Sequence, residues 1–160
     1  MSKQFYISKE ALEKLKEELG ELKAVKRPEL SKKIAEARAF GDLKENAEYH
    51  AAREALSLLE IKISQMEDTI RRAKIIDPKT ITDNKVSLYT TVLLKDLTRD
   101  MEVQYTLVSQ EESNFQEAKI SVTSPVGKAL LGKEVGETVE IQVPAGTMKY
   151  EVLDIKVSNS

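Results

Sequence analysis

Apolar residues recur at heptad spacing along the first half of the sequence, and this repeat limits the possible folds more than any other feature. Its later part has alternating intervals of three and four residues and comprises Leu56, Leu59, Ile63, Met66, Ile70 and Ala73. An earlier stripe comprises Leu12, Leu15, Leu19 and Leu22 and, after Pro28, Leu30, Ile34 and Ala37. Such intervals place the side chains on one face of an α-helix. The sequence therefore predicts two long helices that pack against each other.

The boundaries of these helices are marked by a few local signals. Ser8 can cap the first helix, which then begins near Lys9, with Glu10 in its first turn. Pro28 is expected to bend this helix rather than end it, because the apolar stripe resumes beyond it. A short segment containing Gly41 joins the two stripes and predicts an antiparallel coiled-coil hairpin. Arms of roughly 30 residues would be about 45 Å long, with the turn at the far tip.

The composition changes after Asp77-Pro78. Residues 1–77 contain 16 basic and 15 acidic residues and are rich in Leu, Ala, Glu and Lys, which is typical of long helices. Residues 78–160 are richer in Val, Thr, Ile and Tyr, in short runs broken by turn-forming residues. This pattern predicts five strands, near residues 86–94, 102–108, 119–123, 138–143 and 149–157.

Two turn signals complete the prediction for the second half. Ser124 as N-cap and Pro125 in the first helical position predict a short helix that ends at Gly132. The segment Pro144-Ala145-Gly146 predicts a hairpin turn. We therefore expect an α+β protein with an antiparallel coiled-coil hairpin over residues 1–77 and a compact α+β domain over residues 78–160.

Charge and composition exclude several classes of protein. The chain has 25 Lys and Arg against 27 Asp and Glu, a net charge of −2, so any contact with nucleic acid has to be local. It has no Cys, which excludes disulfides, a thiolate metal site and a Cys nucleophile. No run of about 18 apolar residues is present, and the N-terminal segment lacks the apolar stretch of a signal peptide. We expect a soluble, unexported, cytoplasmic protein with no membrane partner.

Two carboxylates, Asp42 and Glu45, lie three residues apart in the predicted tip, near residues 41–46. One hypothesis is a capping box, in which Asp42 accepts a backbone N–H and Glu45 reaches back to complete the pair. The other is that their oxygens share a Mg²⁺ ion, which proteins often bind through one or two carboxylates. Two carboxylates cannot enclose the ion alone, so the second hypothesis predicts a tip that works only inside a partner.

Basic residues flank this tip on both arms. Arg38 and Arg53 form either a solvated mixed-charge face or a small patch that attracts phosphates without reading sequence. His50, the one histidine, is expected to pack or hydrogen-bond beside Tyr49 rather than to ligate zinc. No Walker loop, dinucleotide fingerprint or Ser-His-Asp order is present, so the sequence indicates no self-contained active site.

Several motifs resemble the bacterial Gre transcript cleavage factors, and the GreA-like branch of that family in particular, over essentially the whole chain. They are Arg27-Pro28-Glu29, Ile34 to Arg38, Gly41 to Glu54, Ile75-Ile76-Asp77, and Ile120-Ser121-Val122 with Ser124-Pro125. The resemblance implies a C-terminal domain like that of FK506-binding proteins. This domain would dock on the rim of the RNA polymerase secondary channel, and the hairpin would enter the channel.

The resemblance also implies roles for individual residues. Asp42 and Glu45 would help to hold a Mg²⁺ ion jointly with the polymerase, with no ion bound stably by this chain alone. The polymerase would then cleave the 3′ end of backtracked nascent RNA, and the factor would not itself be an enzyme. Arg38 and Arg53 would lie towards the RNA.

The segment around Ser121, Ser124 and Pro125 corresponds to the docking region of Gre-like proteins, although helix capping alone is a sufficient account of these residues. We expect a monomer, because the hairpin buries both stripes. Two alternatives stay open. One is a Gre-fold inhibitor that occupies the channel, which the small number of tip carboxylates disfavours. The other is a coiled-coil binding protein whose tip carboxylates are only caps.

Overall fold

The apolar stripes of the first half form the predicted helices. In the computed structural model, which describes residues 3–158, α1 spans Lys9–Glu21, α2 spans Arg27–Arg38 and α3 spans Ala47–Arg72. Ser8 caps α1 as predicted, its Oγ accepting a hydrogen bond from the backbone N of Ala11 at 3.2 Å. The helices fold back on each other, since ion pairs join Lys23 to Glu67 and Arg27 to Glu60. The predicted antiparallel helical hairpin is confirmed.

Every residue of both predicted stripes is buried or half-buried. The stripe on α3 also extends further towards the tip than predicted, because Tyr49 and Ala52 are each only 8% exposed. These two residues continue the alternating intervals of three and four that lead to Leu56. The packed seam therefore reaches the first turn of α3 and supports the tip directly.

A π-helical turn, Leu22–Lys26, joins α1 to α2 without ending the helix. Its backbone is wound more loosely, and the N–H of Arg27 donates to the carbonyl oxygen of Leu22, five residues earlier. Leu30 follows Leu22 by eight positions, one more than the seven positions of a heptad. A π turn accommodates one extra residue, so the stripe keeps its phase beyond it. The turn also precedes Pro28, which has no N–H to donate.

Two ion pairs hold the arms together at this turn. Arg27 binds both carboxylate oxygens of Glu60, at 2.7 and 2.9 Å, and Lys23 binds Glu67 at 3.0 Å. The hydrogen bond to Glu60 raises the pKa of Arg27. The bidentate geometry fixes the relative position of the helices along their length.

A two-stranded parallel sheet closes the base of the hairpin. It pairs β1, Phe5–Ile7, with β2, Ala73–Ile75. Ile7 is completely buried and packs in one cluster with Leu12 and Leu15. This sheet was not predicted, because three-residue strands are too short to show an alternating pattern.

In the part of the second unit that the structure describes, a five-stranded sheet is accompanied by one short α-helix. Its elements are β3 (Thr90–Asp96), β4 (Met101–Val108), β5 (Lys119–Ser121), α4 (Pro125–Leu130), β6 (Thr138–Val143) and β7 (Gly146–Val157). The strand order is β5-β4-β3-β7-β6, and β4 and β5 are parallel. The predicted α+β class is confirmed. The chain divides between Ile75 and Ile76, whereas the composition places the boundary after Asp77.

Several predicted bounds in this unit are wrong by a few residues. The first strand begins at Thr90 rather than near Val86, because Val86 pairs through its backbone with Gly132 and Lys133. Tyr89 has a φ of 66°, which interrupts an extended strand before Thr90. The third predicted strand ends early, at Ser121, and the fifth begins early, at Gly146, which is the last residue of the predicted hairpin turn.

The short helix confirms its predicted start and corrects its predicted end. Ser124 is the N-cap and Pro125 the first helical residue, but the helix ends at Leu130, before Gly132. Within residues 3–158, no helix is both long and apolar enough to cross a bilayer.

We predict that Ile7→Ala lowers the free energy of unfolding of the hairpin unit by about 2–5 kcal/mol, because it leaves a cavity beneath the base of the hairpin. Urea unfolding followed by the helical circular dichroism signal measures the change. Tyr6→Ala is the matched control, since Tyr6 is the next residue of β1 and is 57% exposed. It is expected to change stability by less than about 0.5 kcal/mol. Equal losses for the two variants would contradict the assignment of Ile7 to the core.

Candidate functional site

The tip turn, residues 39–46, reverses the chain between α2 and α3. It begins with two tight backbone hydrogen bonds, from the N of Phe40 to the oxygen of Ala37 at 3.2 Å and from the N of Gly41 to the oxygen of Arg38 at 3.1 Å. Gly41 then has a φ of 103°, a conformation that residues with a side chain rarely adopt. The reversal therefore depends on glycine at this position.

Asn46 joins the two arms at the tip. Its Oδ1 accepts a hydrogen bond from the backbone N of Tyr49 at 3.1 Å, which caps α3. Its Nδ2 donates to the carbonyl oxygen of Ala37 at 2.6 Å, which is on the opposite arm. One side chain thus satisfies a backbone donor of one helix and a backbone acceptor of the other.

The capping-box hypothesis for Asp42 and Glu45 is wrong, because α3 begins after Asn46 and not after Asp42. Asp42 stabilises the tip turn itself, with its Oδ1 accepting a hydrogen bond from the backbone N of Lys44 at 3.0 Å. Glu45 makes no hydrogen bond or ion pair to any residue that the structure describes. Both side chains are exposed. The tip therefore presents two carboxylates that the packing of the hairpin does not use.

These carboxylates have the donor chemistry that suits Mg²⁺, a hard cation that prefers carboxylate and water oxygens. One oxygen of Asp42 is held by the turn, which fixes the position of the carboxylate and leaves the second oxygen available. In the described part of the chain, no three His, Cys, Asp or Glu side chains are grouped so that they could hold a metal ion. The tip offers two exposed carboxylates.

The other predicted tip residues lie around the same turn. His50 Nε2 donates to the carbonyl oxygen of Lys44 at 3.0 Å, and its ring meets that of Tyr49 edge-on at 5.5 Å. The expectation that His50 packs beside Tyr49 is confirmed. The guanidinium carbon of Arg53 lies 5.7 Å from the centre of the Tyr49 ring. Arg38 and Arg53 are both exposed, one on each arm.

The Ser121–Pro125 segment of the second unit uses its hydroxyls internally. Ser124 Oγ donates to the carbonyl oxygen of Ser121 at 2.6 Å and accepts from the N of Gly127 at 3.1 Å. Ser121 is buried, whereas Pro125 is exposed. A Cβ on Gly127 would lie 2.1 Å from the oxygen of Ser121, so the helix approaches the strand too closely for any other residue. Any partner on this surface would meet Pro125, with the two serines shaping the turn.

The sequence analysis missed two residues of the tip. Asn46 had a usable signal, because it lies three residues before Tyr49, where the extended stripe begins, and Asn is a preferred N-cap. Phe40 is 74% exposed, although it is a large apolar residue. No periodic pattern includes Phe40, so only the structure shows its exposure.

We predict that Asn46→Ala lowers the free energy of unfolding by about 1–2 kcal/mol, because α3 loses its cap. Glu45→Gln is the matched control in the adjacent position and is expected to change stability by less than about 0.5 kcal/mol. Thermal unfolding of the two variants and the wild type measures the difference. A loss with Glu45→Gln as large as that with Asn46→Ala would show that Glu45 supports the helix after all.

Both units match models of known families. Residues 5–75 match the family described as transcription elongation factor, N-terminal, and residues 81–157 match transcription elongation factor, GreA/GreB, C-terminal. The transcription elongation factor GreA of Chloroherpeton thalassium is 55% identical and covers 98% of this chain and 99% of its own length. The transcription elongation factor GreA of Christiangramia forsetii is 50% identical and covers 97% of this chain and 98% of its own length. A solved structure of the transcription factor Gfh1 is 27% identical and covers 97% of this chain and 99% of its own length, with a TM-score of 0.48. The matches over both units and the identity to these relatives show that the chain belongs to the GreA/GreB family of transcription elongation factors.

Proposed function

We propose that this elongation factor inserts its hairpin into the secondary channel of bacterial RNA polymerase. There it stimulates the polymerase's own active site to cleave the 3′ end of backtracked nascent RNA, which rescues arrested complexes. It has no nuclease activity alone. The observation that carries the proposal is the pair of exposed carboxylates, Asp42 and Glu45, which the fold of the tip leaves available.

The hairpin has suitable dimensions for this role. Helix α3 has 26 residues, so at a rise of about 1.5 Å per residue it is about 39 Å long. Two packed helices form a narrow rod, because each helix with its side chains is about 10–12 Å across. Such a rod can reach a catalytic centre through a channel that would exclude a globular domain.

Asp42 and Glu45 would hold Mg²⁺ together with ligands from the polymerase. When bound, the ion supplies activation of a water molecule and neutralisation of charge on the reacting phosphate. The contribution of this chain is to fix the Asp42 carboxylate through the backbone N–H of Lys44. The second oxygen of Asp42 and the Glu45 carboxylate have no hydrogen bond or ion pair to any residue that the structure describes. Because two carboxylates form an incomplete shell, binding becomes firm only in the complex with the polymerase. Stimulated hydrolysis is then confined to complexes that contain the factor.

The remaining contacts concern the RNA and the polymerase rim. Arg38 and Arg53 would attract the phosphates of the extruded RNA, since both are exposed and neither forms an ion pair within residues 3–158. The turn built by Ser121 and Ser124 would present Pro125 to the channel rim. The protein would act as a monomer in the cytoplasm, where the polymerase transcribes.

We predict that Asp42→Asn combined with Glu45→Gln reduces stimulated RNA cleavage to the rate of the polymerase without the factor. Asn retains the oxygen that accepts from Lys44, so the turn persists while both negative charges are lost. The measurement is cleavage of end-labelled RNA in a stalled, backtracked elongation complex with Mg²⁺. Circular dichroism and a polymerase-binding assay establish that the variant folds and binds.

Glu48→Gln is the matched control, because Glu48 is an exposed carboxylate in the first turn of α3. It is expected to leave cleavage unchanged. Wild-type cleavage by the double variant would overturn the proposed role of the tip. If the wild-type protein binds and slows synthesis while backtracked RNA stays uncut, the protein is a channel-occupying inhibitor instead.

We further predict that Arg38→Gln and Arg53→Gln each raise the concentration of protein needed for half-maximal cleavage. When the logarithm of this concentration is plotted against the logarithm of the salt concentration, each substitution should lower the slope by about 0.7. This is the change expected for the loss of one phosphate contact to a single strand. Titrations at several salt concentrations measure the slope. Arg71→Gln, in the last turn of α3, is the control and should leave it unchanged. Unchanged slopes for Arg38→Gln and Arg53→Gln would identify these residues as a solvated face.

A further inference from the structure

Phe40 exposes its aromatic ring at the tip, and the fold of the turn does not account for this. The ring is 74% exposed, whereas Tyr49, at the same end of the hairpin, is 8% exposed and packed in the seam. The turn is held by backbone hydrogen bonds and by the bond from Asn46 to Ala37. None of these contacts requires a ring at position 40.

The neighbours of Phe40 indicate what the ring would contact. Arg38 lies two residues before it and Asp42 two residues after it, and both are exposed. A cation attracts a phosphate, and an exposed aromatic ring can stack on the π-face of an unpaired base. A carboxylate can coordinate a metal ion at a reacting phosphate. A single-stranded nucleotide combines all of these features. An apolar pocket in the channel wall would match the ring but not the charges on either side.

We propose that Phe40 stacks on an unpaired base of the extruded RNA 3′ segment and so positions the strand beside Asp42 and Glu45. This inference rests on the proposed function and adds to it a residue that recognises RNA. Phe40 would be a positioning residue, because stacking orients the nucleotide while the carboxylates act at the phosphate. Stacking tolerates any base, so the contact would not read sequence.

The test uses elongation complexes assembled with synthetic RNA whose 3′ nucleotide is unpaired and carries either adenine or no base. Phe40→Ala is expected to slow maximal cleavage of the adenine RNA by about 10-fold, the size expected for the loss of one base–aromatic stack. Phe40→Tyr keeps a ring and should retain the wild-type rate. On the abasic RNA, wild type and Phe40→Ala should cleave equally. Leu43→Ala, an exposed apolar residue of the same turn, is the control and should not discriminate between the two RNAs.

A second readout does not depend on cleavage. With 2-aminopurine as the unpaired 3′ base, the wild type and Phe40→Tyr are expected to quench its fluorescence, and Phe40→Ala is not. The variant Asp42→Asn/Glu45→Gln should quench as the wild type does, because it keeps the ring. Quenching without any stimulated cleavage would support stacking by Phe40 while contradicting the proposed function.

Two outcomes would overturn the inference about Phe40. If Phe40→Ala slows cleavage of the adenine and abasic RNAs equally, the ring contacts the polymerase rather than a base. If Phe40→Ala cleaves and quenches as the wild type does, the ring has no role in positioning RNA. In both cases, loss of cleavage in the Asp42→Asn/Glu45→Gln variant would leave the proposed function intact.

Discussion

Burial of the two apolar stripes against each other holds the arms of the hairpin together from the base to the first turn of α3. The seam ends at Ala37, Tyr49 and Ala52, all of which are buried. Beyond these residues the chain has no apolar layer, and its conformation depends on the hydrogen bonds of Asn46 and on Gly41. The packed helices therefore support a small polar turn. Asp42 contributes one hydrogen bond to this turn, whereas the position of Glu45 follows from contacts made by other residues.

The residues that hold the tip together differ from the residues that are proposed to bind the metal ion. Asn46 satisfies backbone groups of both helices. Among residues 3–158, Glu45 then has no hydrogen-bond or ion-pair partner, and Asp42 has one oxygen engaged. Had these carboxylates formed a capping box, the helix N-terminus would have competed with a metal ion for the same oxygens. The same separation holds in the second unit, where Ser121 and Ser124 build a turn and Pro125 is exposed.

Much of this architecture could be predicted because it follows from periodicity and capping. The heptad intervals located the helices, Ser8 and the Ser124-Pro125 pair located two helix starts, and turn-forming residues separated the strands. The start of α3 was predicted wrongly, because Asp42 and Asn46 are both preferred N-cap residues and only Asp42 was considered. Hydrogen bonding across the arms favours Asn46. The strands β1 and β2 pair residues that are distant in sequence, which local patterns do not encode. No periodic pattern includes Phe40, so its exposure could not be predicted either.

The proposed function requires that the tip carboxylates complete the ligand shell of a Mg²⁺ ion that the polymerase also holds. The most direct test is the Mg²⁺ concentration that gives half-maximal cleavage of backtracked RNA at saturating factor. The account predicts that the wild-type protein lowers this concentration relative to the polymerase alone, and that Asp42→Asn/Glu45→Gln restores the value of the polymerase alone. The same Mg²⁺ dependence with wild type and variant would contradict it, because the carboxylates would then not act through the ion.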